Sequence, residues 1–197
     1  MNPSFIHLRV HSEFSLVDGT VRIKPLIQRL VSFSMPAVAL TEQSNLFSLV
    51  KFYRATQGSG IKPIVGSDVF IYNTEEPTQP FVLTLLAMNH SGYISLTELI
   101  SKSYQEGQHL GVPMLQYSWI EQKTTGLIAL SGAMDGDIGR ALLTDNREMA
   151  LAQAHYWSEL FPERFYLDIQ RIGKKNEEAF IKDSVDLALE ITLALES

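Results

Sequence analysis

Cysteine is missing from all 197 residues. That excludes a disulfide framework, a thiolate metal site and a cysteine nucleophile. Basic charge is scarce as well: Lys and Arg number 16 against 22 Asp and Glu, a formal charge of -6. This is the wrong sign for a surface that holds phosphate backbones by counterion release, so no direct grip on nucleic acid is expected. Long hydrophobic runs are also lacking. The longest, around Phe81 to Met88, falls far short of a membrane span. Met1 to Ile6 has no basic segment followed by an apolar one, so a soluble cytoplasmic protein without membrane association is expected.

What the chain does have is core. With 45% hydrophobic residues it can bury a sizeable interior, and one domain spanning 1–197 is the default expectation. Short strand-like apolar runs recur at Phe5 to Val10, Ala37 to Leu40, Pro63 to Tyr72, Phe81 to Ala87, Leu127 to Leu130 and Phe165 to Ile169. Between them, Ile23, Leu26, Ile27, Leu30 and Val31 repeat at helical spacing, as do Leu46, Leu49, Val50 and Tyr53. Leu96, Leu99 and Ile100 mark another helix, Leu151, Ala154, Trp157, Leu160 and Phe161 a further one, and Glu177 to Ile191 a long last one. Continuous apolar strands alternating with helices predict parallel pairing, hence an α/β barrel or a doubly wound sheet. Turn residues agree: Asp18-Gly19, Gly58-Ser59-Gly60 and Pro36 punctuate the elements, and Gly111 to Pro113 interrupts a long loop.

In such folds the chemistry sits where strands end. Here polar residues gather near those places: His11-Ser12 after the first run, Thr41-Glu42-Gln43 after the second, Ser67-Asp68 within the third and Ser131-Gly132-Ala133 after the fifth. Singly, each is ordinary loop composition; jointly they predict one polar rim. Other candidates carry less. His7 reads as a packed or hydrogen-bonded residue, and His90, His109 and His155 share no spacing. Trp119 and Trp157 lack interleaved basic residues and read as core rather than base-stacking platforms. Ser131 has no nucleophile elbow around it, and Gly58 to Lys62 leads into a strand, not the helix of a phosphate loop. Glu75-Glu76 reads as a solvated loop.

The segment from His7 to Gly19, HLRVHSEFSLVDG, resembles the opening of the PHP (polymerase and histidinol phosphatase) domain at the start of bacterial DNA polymerase III alpha subunits. Ala37 to Asn45 is similar to that family's strand and Thr-Asp-His-Gly-Asn turn, and Gly60 to Asp68 to its Gly-Ile-Lys-Pro stretch. Gly92-Tyr93, Gly126 to Gly132 and Phe165 to Leu167 follow in order.

The resemblance implies a distorted, seven-stranded, TIM-like β/α barrel. In metal-bearing members it implies clustered divalent ions that activate water for phosphoester hydrolysis. Against the family pattern this chain keeps His11, Asp18 and Asp68 as vestigial ligand positions. It has Arg9, Gln43, Val82 and Ala133 where ligands would stand. A guanidinium is permanently protonated and a methyl group offers no lone pair, so neither can ligate a cation. The family's last ligand pair would fall beyond Ser197. Thr192 to Leu195 either extends the last helix or begins a further strand, and in the second case the barrel is cut short before completion.

These departures predict a degenerate, metal-free and inactive site in which Arg9 pairs with Asp18, Glu42 or Asp68. No cofactor is expected in this chain; the magnesium of the parent polymerase would be held outside it. The implied role is a scaffold at the start of a larger nucleotidyltransferase that replicates DNA, packing on the polymerase core and docking a proofreading exonuclease. The rival expectation is a surviving metal-dependent phosphoesterase, either a 3'-5' exonuclease or a pyrophosphatase. A free-standing phosphatase is disfavoured by the Gly-Ile-Lys-Pro stretch.

Overall fold

A computed structural model describes residues 5–15 and 18–195, so Leu16 and Val17 of the first motif lie outside the described residues. The elements run α1 (Ile23–Ser32), β1 (Ala37–Gln43), α2 (Leu49–Thr56), β2 (Lys62–Ile71), β3 (Phe81–Ala87), α3 (His90–Glu106), β4 (Gln108–His109) and β5 (Val112–Leu115). They continue with α4 (Tyr117–Glu121), β6 (Leu127–Leu130), a 3-10 turn (Ala133–Asp135), α5 (Asp137–Leu143), α6 (Arg147–Leu160), β7 (Phe165–Tyr166) and α7 (Glu177–Leu195). Thr192 to Leu195 therefore extends the last helix.

Local chemistry explains the element boundaries. In α1, Ile23, Ile27 and Leu30 stack on one face and are buried. The Asn89 side chain accepts from the Gly92 N–H at 3.0 Å and starts α3; Asn146 does the same for α6 through the Met149 N–H. Gly92 also has to be glycine for packing, because a Cβ there would lie 1.8 Å from the Gly126 carbonyl oxygen.

The fold is mixed α/β and TIM-like, built on a seven-stranded sheet ordered β4-β5-β2-β3-β6-β7, with β1 also on β2. Pairing is parallel for β1 with β2, β2 with β5 and β6 with β7. It is antiparallel for β2 with β3, for β3 with β6 and for β4 with β5. The uniformly parallel sheet expected from the alternating pattern is thus corrected. Residues 72–80 connect β2 to β3 without a crossover helix, and only a crossover can bring the next strand back parallel. The expected strand at Phe5 to Val10 is reduced to an isolated bridge between His7 and Val38. The Ala39 N–H bonds to the His7 carbonyl and the Thr41 N–H to the Val10 carbonyl. Three steps on one side therefore face two on the other, and this extra residue breaks the ladder at Arg9.

Strand alternation divides the sheet into two faces. One carries Val69, Leu83, Leu85, Leu127 and Ala129 into the main core, where Leu96, Trp157 and Phe161 cover them. A second cluster seats α1 and α2 on Val38 and Leu40. The opposite face has a small apolar core of Ala39, Leu86 and Leu130, and beyond it the buried polar residues Asp68 and Thr84. The sheet does not close. Among the described residues, the segment beside β1 and the segment after β7 face each other across a cleft of about 720 Å³.

Candidate functional site

Register assembles the site. Gln43 of β1 pairs with Asp68 of β2, and Asp68 with Thr84 of β3, so three side chains stand abreast on the inner face. Asp68 is 1% exposed. Burying a carboxylate is costly unless its lone pairs are met, and here three donors meet them. Arg9 Nε donates to Oδ2 at 2.5 Å, His11 Nε2 stands 2.8 Å from the same oxygen, and Thr84 Oγ1 donates to Oδ1 at 2.5 Å.

His11 carries the network outward, with Nδ1 at 2.7 Å from Asp18 Oδ2. Both ring nitrogens thus face carboxylate oxygens. Ionised carboxylates only accept, so the arrangement calls for an imidazolium with both N–H groups present. Burial alone would pull the His11 pKa down; hydrogen bonding and charge from Asp68, then Asp18, outweigh it and leave the pKa above its ordinary value. The Arg9 pKa is also raised: burial opposes the charge, but Asp68 and then Asp168 prevail.

Asp168 is the residue that reading the chain missed. It follows β7, inside a run that looks simply apolar, and its Oδ2 lies 3.6 Å from Arg9 Nη1. Its N–H donates to Ser131 Oγ at 2.9 Å, and Gln170 Nε2 donates to its carboxylate at 3.0 Å. Burial pushes its carboxyl up, and Arg9 only partly offsets this. Nearby, Lys174 Nζ pairs with Asp135 Oδ2 at 3.0 Å. A lone polar residue within a strand-like run is too weak a signal to single out Asp168. Thr84, in the middle of β3, gave none.

The other positions fall elsewhere. Glu42 is buried on the opposite face of β1, where it accepts from the Ser12 N–H at 3.0 Å and from the Ser12 hydroxyl. Val82 shares the inner face with Thr84 but sits opposite Phe70. Gly132, at φ 75, packs so tightly over it that a Cβ would lie 2.1 Å from the Val82 carbonyl oxygen. Ala133, at φ 51, is buried in the main core. His7 stacks edge-on against Phe5 at the cleft wall. Among the described residues, no group of three or more His, Asp or Glu side chains is arranged to hold a metal ion. No described helix is long and apolar enough to cross a membrane.

Comparison with known proteins adds the following. Residues 7–172 match the family of the PHP domain. The DNA polymerase III subunit alpha of Pseudomonas aeruginosa is 50% identical over 95% of this chain, which accounts for 16% of that protein's length. Its counterpart in Escherichia coli K12 is 42% identical over 94% of the chain, again 16% of the relative. The chain therefore spans about a sixth of these relatives. A candidate metal-dependent phosphoesterase from Bifidobacterium adolescentis has a similar fold, with a TM-score of 0.56 at 10% identity, covering 93% of this chain and 84% of that one.

Proposed function

This chain belongs to the PHP domain family and is 50% identical to the DNA polymerase III alpha subunit of Pseudomonas aeruginosa, and from that premise we propose that it serves a cytoplasmic replicative polymerase as a scaffold whose ancestral metal site is dismantled. In this reading it packs on the polymerase core and docks a proofreading exonuclease. Template-directed synthesis, with its magnesium, belongs to parts of the subunit outside this chain.

The observation that carries the reading is the Arg9–Asp68 contact. A guanidinium lies where the remaining carboxylates would otherwise repel one another, and its fixed charge offsets that repulsion as a cation would. The donor set as it stands does not fit a divalent metal. Both nitrogens of His11 are engaged with carboxylates, and both oxygens of Asp68 already accept from protein donors. Gln43, Val82 and Ala133 supply no strong ligand beside them. A fold can outlive its chemistry once its surface has acquired a partner.

A second reading, a residual metal-dependent phosphoesterase, is favoured by one observation: His11, Asp18 and Asp168 line one cleft, with Asp68 buried beneath His11. Metal analysis of the purified full-length protein, beside phosphoesterase assays with added manganese or zinc, separates the two. The scaffold reading expects no stoichiometric metal and no activity that depends on His11. Stoichiometric metal, with activity that disappears in His11→Ala, overturns it.

A further inference from the structure

Residues 167–176, between β7 and α7, run along one side of the cleft without regular secondary structure. Their placement owes little to apolar burial beyond Leu167, which packs against the main core. Ile169 and Ile172 are 46% and 65% exposed instead. Polar tethers hold the segment. At its start, the Asp168 N–H bonds to Ser131 and the Asp168 carboxylate faces Arg9, which is itself anchored on Asp68. Near its end, Lys174 reaches Asp135 in the turn after β6. At the junction with α7, Glu177 Oε2 accepts from the N–H groups of Ile172 at 2.6 Å and Lys174 at 3.2 Å. Between these, Gly173 turns the chain at φ 80 with open space around it.

We propose that residues 167–176 form a strap along one side of the cleft, latched by the Arg9–Asp168 and Asp135–Lys174 ion pairs, whose release widens access to Arg9 and His11 and, beneath them, Asp68. The argument rests on the kind of tether. Apolar anchoring would tie the strap's opening to unfolding of the core, whereas the half-exposed Lys174–Asp135 pair is weak and screened by salt, and the more buried Arg9–Asp168 pair is long at 3.6 Å. Segments held this way open locally while the sheet beneath stays intact. Leu167 and β7 hold one end of the strap and the Glu177 bonds hold the other, so opening is an outward bowing of the residues between them. Whether or not the site beneath binds a metal, the latch is the same.

Hydrogen–deuterium exchange read by mass spectrometry on the full-length protein tests this. Asp168→Asn and Lys174→Met are each expected to accelerate exchange in peptides covering 168–176 by roughly 2- to 5-fold. Peptides from β2 and β3 should keep the parent rate. Raising the salt concentration should accelerate the same strap peptides in the parent protein, and the double variant, which keeps only the Arg171–Glu178 pair, should show a much smaller salt dependence. The proposal is overturned if the strap peptides of the double variant exchange at the parent rate, or if all peptides accelerate together. Should a variant fold poorly, the salt series on the parent still decides: strap exchange independent of salt rejects the latch.

Discussion

His11 sits between Asp18 and Asp68 and depends on both for its charge. Its folded pKa is raised above the ordinary 6.5, so the stabilisation it contributes is fully present below that value and is lost as pH rises through the folded pKa. His11→Gln should therefore cost most stability in mildly acidic solution and progressively less as the pH turns alkaline. Urea midpoints of parent and variant across that window check this; a difference that does not change with pH contradicts it. At this scale the sequence was partly legible. His11, Asp18 and Asp68 fall in motifs of recognisable order, and Arg9 is a cation among them. Asp168 and Thr84 were not legible, because a lone Asp or Thr near an apolar run acquires its role only from the strand register and chain path that bring it to the site.

Buried carboxylates also tie whole elements together. Asp137, at the start of α5, accepts from Tyr117 Oη of α4 at 3.0 Å, from Trp157 Nε1 of α6 at 2.9 Å and from the Ile138 N–H at 2.8 Å. Burial pushes its carboxyl up, so these donors matter to the charged form. Trp157→Phe keeps most of the ring in the core but removes the indole N–H. An expected loss of about 1–3 kcal/mol follows, the cost of a buried acceptor stripped of a donor, measurable by denaturant titration. A loss near zero would show that Tyr117 and the backbone suffice. The longer helices α1, α3, α6 and α7 announced themselves by apolar spacing. The helices α4 and α5 and the strands β4 and β5 did not, because Tyr117–Glu121 or Gln108–His109 is too short to display a period.

At the scale of the molecule, the open sheet leaves two ends facing each other with apolar side chains exposed at the cleft. Phe5 is 63% exposed and Ile172 65%, beside half-exposed Leu8 and Ile169. Open sheet ends of this kind invite pairing with other chains unless they are covered or charged. The 197-residue chain by itself is therefore expected to self-associate, and Phe5→Lys combined with Ile172→Lys to shift it towards monomer in light scattering. Association unchanged by the two lysines would place the sticky surface elsewhere, for example on the exposed Phe47, Val50 and Tyr53 of the α2 region.

By itself the sequence determined the α/β class, the order of the main elements, the candidacy of His11 and Asp68 as site residues and the family resemblance. All of these are written in local periodicity or in contiguous motifs. Only the tertiary structure decided that β3 runs against its neighbours, that residues near Arg9 leave the ladder, and that Arg9 reaches Asp68 and Asp168 rather than Asp18 or Glu42. These are contacts between residues 59 and 159 positions apart in the chain. Strand register and the face each strand turns inward set them, and no local pattern encodes either.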